Sequence, residues 1–296
     1  MKATGFPAAG MALMVLAMCL MATMDATAKW LVEDYSIAQI LLVRFAVFLG
    51  IALALAWRRG WLATVRSRQP GLQVLRSLVM LAEIVVFLWA FSLLPLADVH
   101  AIAAVSPLIA VALAALLLAE RVGWRRWLAV AAGCAGVLVI MRPGSGIMGP
   151  AALIALLAAF LWALLQVLIR RVGLDDSIET TALWSAAIAV LLLVFLAPFD
   201  WHPVAAGDWP LLVLVGLLGA AAHLVLFRAL QVAPASMLQP FAYTLVVWAT
   251  VMGYVLFGEF PDIWTLAGIV IVIAGGLYAF SRERASRSAH WQERRQ

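Results

Sequence analysis

Residues 95–136 read PLADVHAIAAVSPLIAVALAALLLAERVGWRRWLAVAAGCAG, and the pattern returns near the other end of the chain. A shift of 139 residues lays Pro95 on Pro234, Glu120 on Glu259 and Gly136 on Gly275, with Ala90 on Ala229 and Ala103 on Ala242. In each copy a Pro opens an apolar run, a Glu closes it, and a second apolar run follows in which the shared Gly comes late. Three matched residues among apolar filler are a thin basis alone, so the hydropathy of the two halves has to agree. It does, and the chain reads as a duplicated membrane protein.

The 296 residues are 66% hydrophobic and 12% charged, with a mean hydropathy of +1.06, whereas a soluble domain carries about 25% charged residues. No water-soluble fold has an interior large enough for so much apolar side chain, so the surrounding solvent is lipid. The net charge of +5 does not mark a nucleic-acid binder, because the basic residues are scattered between apolar runs. Cys19 and Cys134 lie inside apolar runs with no CxxC and no His cluster. They read as buried inert thiols, with no disulfide framework and no metal site. There is no phosphate-binding Gly loop and no catalytic set, which speaks against an ATP-driven pump, an enzyme or a bound cofactor. Lys2, an apolar stretch and Ala26-Thr27-Ala28 imitate a cleaved signal peptide. The apolar run from Ala8 is too long for that, at about twenty residues, and Asp25 stands just before the supposed cut. It is kept as the first spanning helix.

About twenty apolar residues span a bilayer as helix. That ruler predicts spans near Ala8–Trp30, Ile37–Trp57, Leu72–Leu94, Ala97–Leu118 and Arg125–Met141, then Pro150–Ile169, Thr180–Pro198, Trp209–Leu230, Ala235–Phe257 and Ile263–Ser281. The fold class is an all-α integral membrane protein of ten transmembrane helices in two five-helix repeats, residues 1–145 and 146–281, followed by a basic cytoplasmic tail, 282–296. With the N-terminus cytoplasmic, seventeen Lys and Arg residues fall inside and only Lys29 and Arg142 outside, Arg44 alone lying within the membrane. Five helices is an odd number, so the second repeat enters from the opposite side. Inverted repeats are the architecture of transporters that open one midplane site to either face.

The 5+5 plan, the apolar run after Leu94-Pro95-Leu96-Ala97-Asp98-Val99, the Ser106-Pro107-Leu108 inside it, Glu120-Arg121 at its end and the Gly-rich span beyond resemble the EamA type of the drug/metabolite transporter superfamily. The resemblance runs from about Met11 to Ser281 and repeats through Pro234, Glu259 and Gly275. The second copy departs from it: Val246 and Val247 replace the Pro-Leu, and Phe260 replaces the Arg. The resemblance implies a ten-helix transporter. Members similar to this chain export amino acids or related metabolites, while others import vitamins or cofactors.

Polar groups within apolar runs are the candidates for function, each weighed against a structural role. Asp25 and Lys29 share a helix face, and Arg44 is placed to reach Asp25. The trio reads either as an ion pair tying the first two helices or as a charged entrance binding a substrate carboxylate. Glu83, at the middle of the third span, is either a proton-loading acid or a hydrogen-bonded packing acid. His100, with Ala103, Ala104 and Pro107 on its face, and His223, deeper in the eighth span, are packing residues or proton relays. Gln239, Tyr243, Thr250 and Tyr254 follow helical spacing and predict a cavity-facing stripe, with Trp248 beside it and Tyr254 alternatively in the interfacial belt. Trp162 and Gln166 would complete the wall, and Met14, Met18 and Met21 lead to Asp25. Pro95, Pro107 and Pro234 are the expected hinges.

These residues point to a secondary transporter of the bacterial inner membrane, both termini cytoplasmic, working by alternating access. Its expected partners are the lipid bilayer, a small-molecule substrate (amino acids or related metabolites, moved outward) and protons as coupling ion, with no nucleic acid. The alternatives are an importer of a vitamin or nucleotide-like cofactor and an uncoupled uniporter or channel.

Overall fold

A computed structural model describes residues 7–117, 124–141, 149–173, 175–232 and 241–274. Expectations placed on Lys2, Glu120, Arg121, Arg142, Pro234, Gln239, Gly275 and the tail lie outside the described residues. The described secondary structure is entirely helical: α1 (Pro7–Leu31), α2 (Ile37–Arg59), α3 (Trp61–Val65), α4 (Pro70–Leu93), α5 (Leu96–Ala103), α6 (Ser106–Leu117), α7 (Trp124–Met141), α8 (Gly149–Val172), α9 (Ile178–Leu196), α10 (Trp209–Val232), α11 (Thr244–Phe257) and α12 (Ile263–Ala274). Six of these are long and apolar enough to cross a membrane: α1, α2, α4, α8, α9 and α10. Local chemistry sets several boundaries. Ser36 and Ser177 cap α2 and α9 by accepting the amide N–H three residues on, at 3.3 and 3.2 Å. Gly258, with φ +67°, ends α11 in the left-handed region and turns its N–H back to Tyr254.

The expected fourth span is corrected by the structure: it is two helices, broken at Ala104–Val105. Pro107 has no N–H, and in a continuous helix its ring would strike the carbonyl of Ala103. Restarting at Ser106 puts Pro107 in the first turn of α6, where the missing donor costs nothing. A turn at Tyr243 precedes α11 in the same way, and Tyr243 is the residue 139 positions after Ala104.

Helix α1 packs on α10 and α11, α2 on α9 and α10, α4 on α8 and α9, α5 on α8 and α11, and α6 on α7 and α8. Contacts between connections identify the two ends of the bundle. At one, called here the acidic end, the α1–α2, α4–α5 and α9–α10 connections and Glu259 meet. Tyr35 Oη donates to Asp208 at 2.5 Å, Gln39 exchanges hydrogen bonds with the backbone of His202 at 2.9 and 3.0 Å, and Lys29 Nζ reaches Glu259 at 2.7 Å. The bond to Asp208 holds the Tyr35 phenol above its usual range. At the opposite, basic end the α2–α4 and α8–α9 connections meet. Ser67, the Arg68 N–H (2.8 Å) and Gln73 (2.9 Å) all donate to Asp176, and Arg59 pairs with Glu179. Both ends are therefore tied by polar contacts between residues far apart in sequence.

Burial pushes the Asp176 carboxyl up, but hydrogen bonds from Ser67, the Arg68 amide and Gln73, with the Arg68 charge, outweigh it and hold the group below its ordinary value. A carboxylate depressed in the folded state contributes stability above its unfolded pKa, about 3.9, and loses it as pH falls through the folded value. Thermal unfolding in detergent between pH 6 and 3 is expected to show a decline below about pH 4 that flattens in Asp176→Asn. Parallel curves would remove this connection from the acid response. Both thiols are free; Cys19 is half-buried and Cys134 is exposed rather than buried as expected.

Candidate substrate cavity

A narrow cavity of about 60 Å³ lies between α2 and α4 on one side and α8, α9 and α10 on the other. Arg44, Phe45 and Phe48 face it from α2, Met80 and Ile84 from α4, Trp162 from α8, and Gly219 and His223 from α10. Ligand pockets commonly measure about 300–1,000 Å³, so a whole metabolite enters this one only if helices move. The apolar wall is interrupted by charge. Arg44 is 7% exposed and makes no hydrogen bond or salt bridge among the described residues. Its guanidinium is within electrostatic reach of Asp25 on α1 and Glu83 on α4, and Glu83, 6% exposed, likewise lacks a hydrogen-bonded partner there. Gly219 makes the room: a Cβ at that position would come 3.3 Å from Arg44 Nε and 3.0 Å from Met24 Sδ.

Arg76, also on the cavity, is 2% exposed and held through its Nε and Nη2. It donates to Gln73 Oε1 (3.2 Å), Ser77 Oγ (3.2 Å), Thr181 O (3.1 Å) and Ser185 Oγ (2.6 Å). This guanidinium staples α4 to α9 and is a structural counterpart to the unpaired Arg44. At the acidic end a separate vestibule of about 380 Å³ is lined by Lys29, Glu33, Ser92, Pro95 and Glu259. Its floor is the Lys29–Glu259 pair, with Lys29 also donating to Leu94 O (3.2 Å) and Glu259 accepting from the Leu96 N–H (3.2 Å).

Residues 8–142 and 149–281 each match the EamA-like transporter family. The chain belongs to that family. EamA-like proteins are transporters, and this chain is a multi-pass membrane protein and not an enzyme. It is 25% identical over 225 residues to an S-adenosylmethionine uptake transporter of Rickettsia prowazekii (76% of each chain), and 28% identical over 250 residues to a riboflavin transporter of Vibrio cholerae (83% of this chain, 84% of that one). A pseudopaline exporter of Pseudomonas aeruginosa is 26% identical over 280 residues, covering 93% of this chain and 96% of the other. A crystal structure at 20% identity superposes with a TM-score of 0.64 over 93% of this chain and 98% of its own, a likeness of fold. Small-metabolite transport is common to the three named EamA relatives; amino-acid export is named for none of them.

Of the residues expected at the EamA cavity, Trp162 and His223 line it. Asp25, Glu83 and His100, expected there too, do not line it; Asp25 and Glu83 lie within electrostatic reach of Arg44 instead. The expected Asp25–Lys29–Arg44 pairing is corrected: Lys29 goes to Glu259, and Asp25 Oδ2 lies 3.2 Å from His100 Nε2. Neither His100 nitrogen has an aligned hydrogen bond. The ring packs between Phe87 and Phe91. His223 Nδ1 lies 2.7 Å from Gly219 O.

The ninth-span wall is also corrected, since α11 does not line the cavity. Tyr243 is buried in the main core, Thr250 returns its hydroxyl to Val246 O at 2.9 Å, and Trp248 packs with Met18 in a second apolar cluster. A hydroxyl satisfied by its own helix has no need of a cavity. Tyr254, 62% exposed, stands edge-on to Phe260 in the manner of an interfacial belt. Gln166 is half-buried and off the wall. Sequence reasoning missed Arg76 as a staple and the glycines of α10, which leave no polar signal. A Cβ on Gly216 would lie 2.7 Å from Val47 Cβ, so small residues let α10 close on α2.

Proposed function

We propose that this protein is a secondary transporter of the bacterial inner membrane, moving small metabolites by alternating access between two inverted five-helix repeats, residues 1–145 and 146–281, with both termini cytoplasmic. The observation that carries this reading is the exchange pattern of the helix contacts. Replacing each helix by its counterpart 139 residues on turns α1·α10 into α8·α4, α2·α10 into α9·α4, and α1·α11 into α8·α6, while α2·α9 returns to itself; all are observed pairs. A two-fold relation of this kind lets one half rock against the other around a fixed site. Ties at both ends and a small cavity between them fit a closed intermediate of that cycle, with Pro95 and Pro107, which stand at helix junctions, as pivots. The basic end, with Arg58, Arg59, Arg66 and Arg68, supports a cytoplasmic assignment for that side.

Amino acids and related zwitterions moved outward remain the first substrates to test. A vitamin or cofactor moved inward is the second reading, favoured by the riboflavin and S-adenosylmethionine relatives and by the aromatic lining of Phe45, Phe48 and Trp162. Counterflow into liposomes of purified protein tests both, because only a carrier exchanges labelled for unlabelled substrate through one alternating site. Absence of counterflow for every substrate, with flux down a gradient intact, would make the protein a channel. Protons are the proposed coupling ion, loaded at Glu83 beside Arg44 and Asp25. Glu83→Gln is expected to fold and to lose transport driven by a pH gradient; a gradient response equal to the parent's would take Glu83 out of the mechanism.

A further inference from the structure

We propose that Arg44 is the anion-binding residue of this cavity, and that the transported metabolite presents a carboxylate to it. The inference rests on the transporter reading and adds the substrate class. A guanidinium carries five N–H donors in a fixed fork, and burying such a group without acceptors is costly in a protein and more so within a membrane. Arg44 is nine-tenths buried, opens on the cavity, and its nitrogens stand farther than 4.0 Å from every carboxylate oxygen among the described residues. Arg76, on the same cavity, shows how this fold treats a structural guanidinium: four acceptors surround it. The acceptors Arg44 lacks are those a planar carboxylate supplies bidentately.

The surroundings narrow the class further. The acids within electrostatic reach of Arg44 are Asp25 from α1 and Glu83 from α4, with His100 of α5 on Asp25, and with His223 of α10 and Arg76 of α4 as the other titratable groups. A cation with two acids near it but unpaired suits a ligand with both signs of charge, its carboxylate on Arg44 and its ammonium toward the acids. A cavity of about 60 Å³ has room for such a head group, leaving the rest of the metabolite to the aromatic wall once the helices part.

Thermal stabilisation of the purified full-length protein by acid and amide pairs tests this: leucine against leucinamide, and S-adenosylmethionine against its methyl ester, with riboflavin as a ligand lacking a carboxylate. The acids should stabilise the parent, and their uncharged derivatives should bind ~10–100-fold more weakly, the range of a charge-assisted contact. Arg44→Gln should abolish the discrimination and Arg44→Lys keep part of it. Gly219→Ala, which leaves every charge in place but crowds the guanidinium, should weaken acid binding alone and covers the case in which Arg44→Gln does not fold. The proposal is overturned if amides bind as well as acids, if no acid binds, if riboflavin alone binds, or if Arg44→Gln binds acids as the parent does. Acid binding without counterflow would count against the carrier reading and leave this one standing. Riboflavin counterflow unchanged in Arg44→Gln would do the reverse.

Discussion

Glu259→Gln is expected to open the acidic end of the bundle. Lys29 is 6% exposed, and its acceptors are both Glu259 oxygens, at 2.7 and 2.8 Å, and Leu94 O at 3.2 Å. Removing the carboxylate charge leaves a buried ammonium with neutral partners, and stranding one member of a buried pair typically costs about 3–5 kcal/mol. The two sides of the pair are unequal. The Glu259 side chain is 28% exposed and keeps the Leu96 N–H, so Lys29→Met strands a charge that water can reach and should cost less. The double variant, which strands nothing, should lie closer to the parent than the sum of the single changes. If the tie belongs to the closed state alone, a loss of about 3 kcal/mol multiplies the open population roughly a hundredfold. The measurement is maleimide labelling of a cysteine at the cavity residue Ala220, with Cys19 and Cys134 replaced by Ser. Glu259→Gln should accelerate it from one face of the membrane only. Equal rates in parent and variant would mean that the pair braces the fold without gating it.

What the chain made legible and what it hid divide along a physical line. Apolar runs of membrane length are local facts, and α1, α2, α4, α8, α9 and α10 stand within a few residues of where hydropathy places them. Isolated polar residues in such runs are conspicuous because lipid tolerates few of them. Asp25, Glu83, His100 and His223 stand out in this way; of these four, His223 lines the cavity and the other three do not. Partner choice is not local. Lys29 lies four residues from Asp25, which made that pair attractive, yet it reaches a carboxylate 230 residues away, because the α1–α11 contact brings Glu259 to it. The Tyr243–Thr250 stripe misled for a related reason: helical spacing says which residues share a face but not whether their hydroxyls are already satisfied. The break before Pro107 is signalled by its missing donor, but hydropathy runs straight through it because the flanking residues are uniformly apolar.

Two glycine positions that present the same nearest distance should respond unequally to alanine, and the difference tests how α7 and α12 meet. On Gly268 of α12, a Cβ would lie 2.2 Å from Ile140 Cγ1 and 2.7 Å from the backbone oxygen of Gly136. On Gly133 of α7 it would lie 2.2 Å from Leu108 Cδ1, with nothing else nearer than 3.4 Å. The tip of a leucine can change rotamer within its cavity, whereas a carbonyl oxygen moves only with its helix, and Ile140 is stiff at its branched carbon. Gly133→Ala should therefore be near neutral, since the Leu108 adjustment is offset by about 0.5–1 kcal/mol of helix propensity. Gly268→Ala has to push α12 off α7 and should cost about 1–3 kcal/mol, as overpacking does, and Gly268→Val more, with lost monodispersity in detergent. The contact at Gly136 would then be the place where α7 and α12 are held at backbone distance, which small residues permit in a bilayer and larger ones forbid. Equal melting temperatures for Gly133→Ala and Gly268→Ala would mean that the two helices are free to separate there, and that the crossing does not anchor the halves during transport.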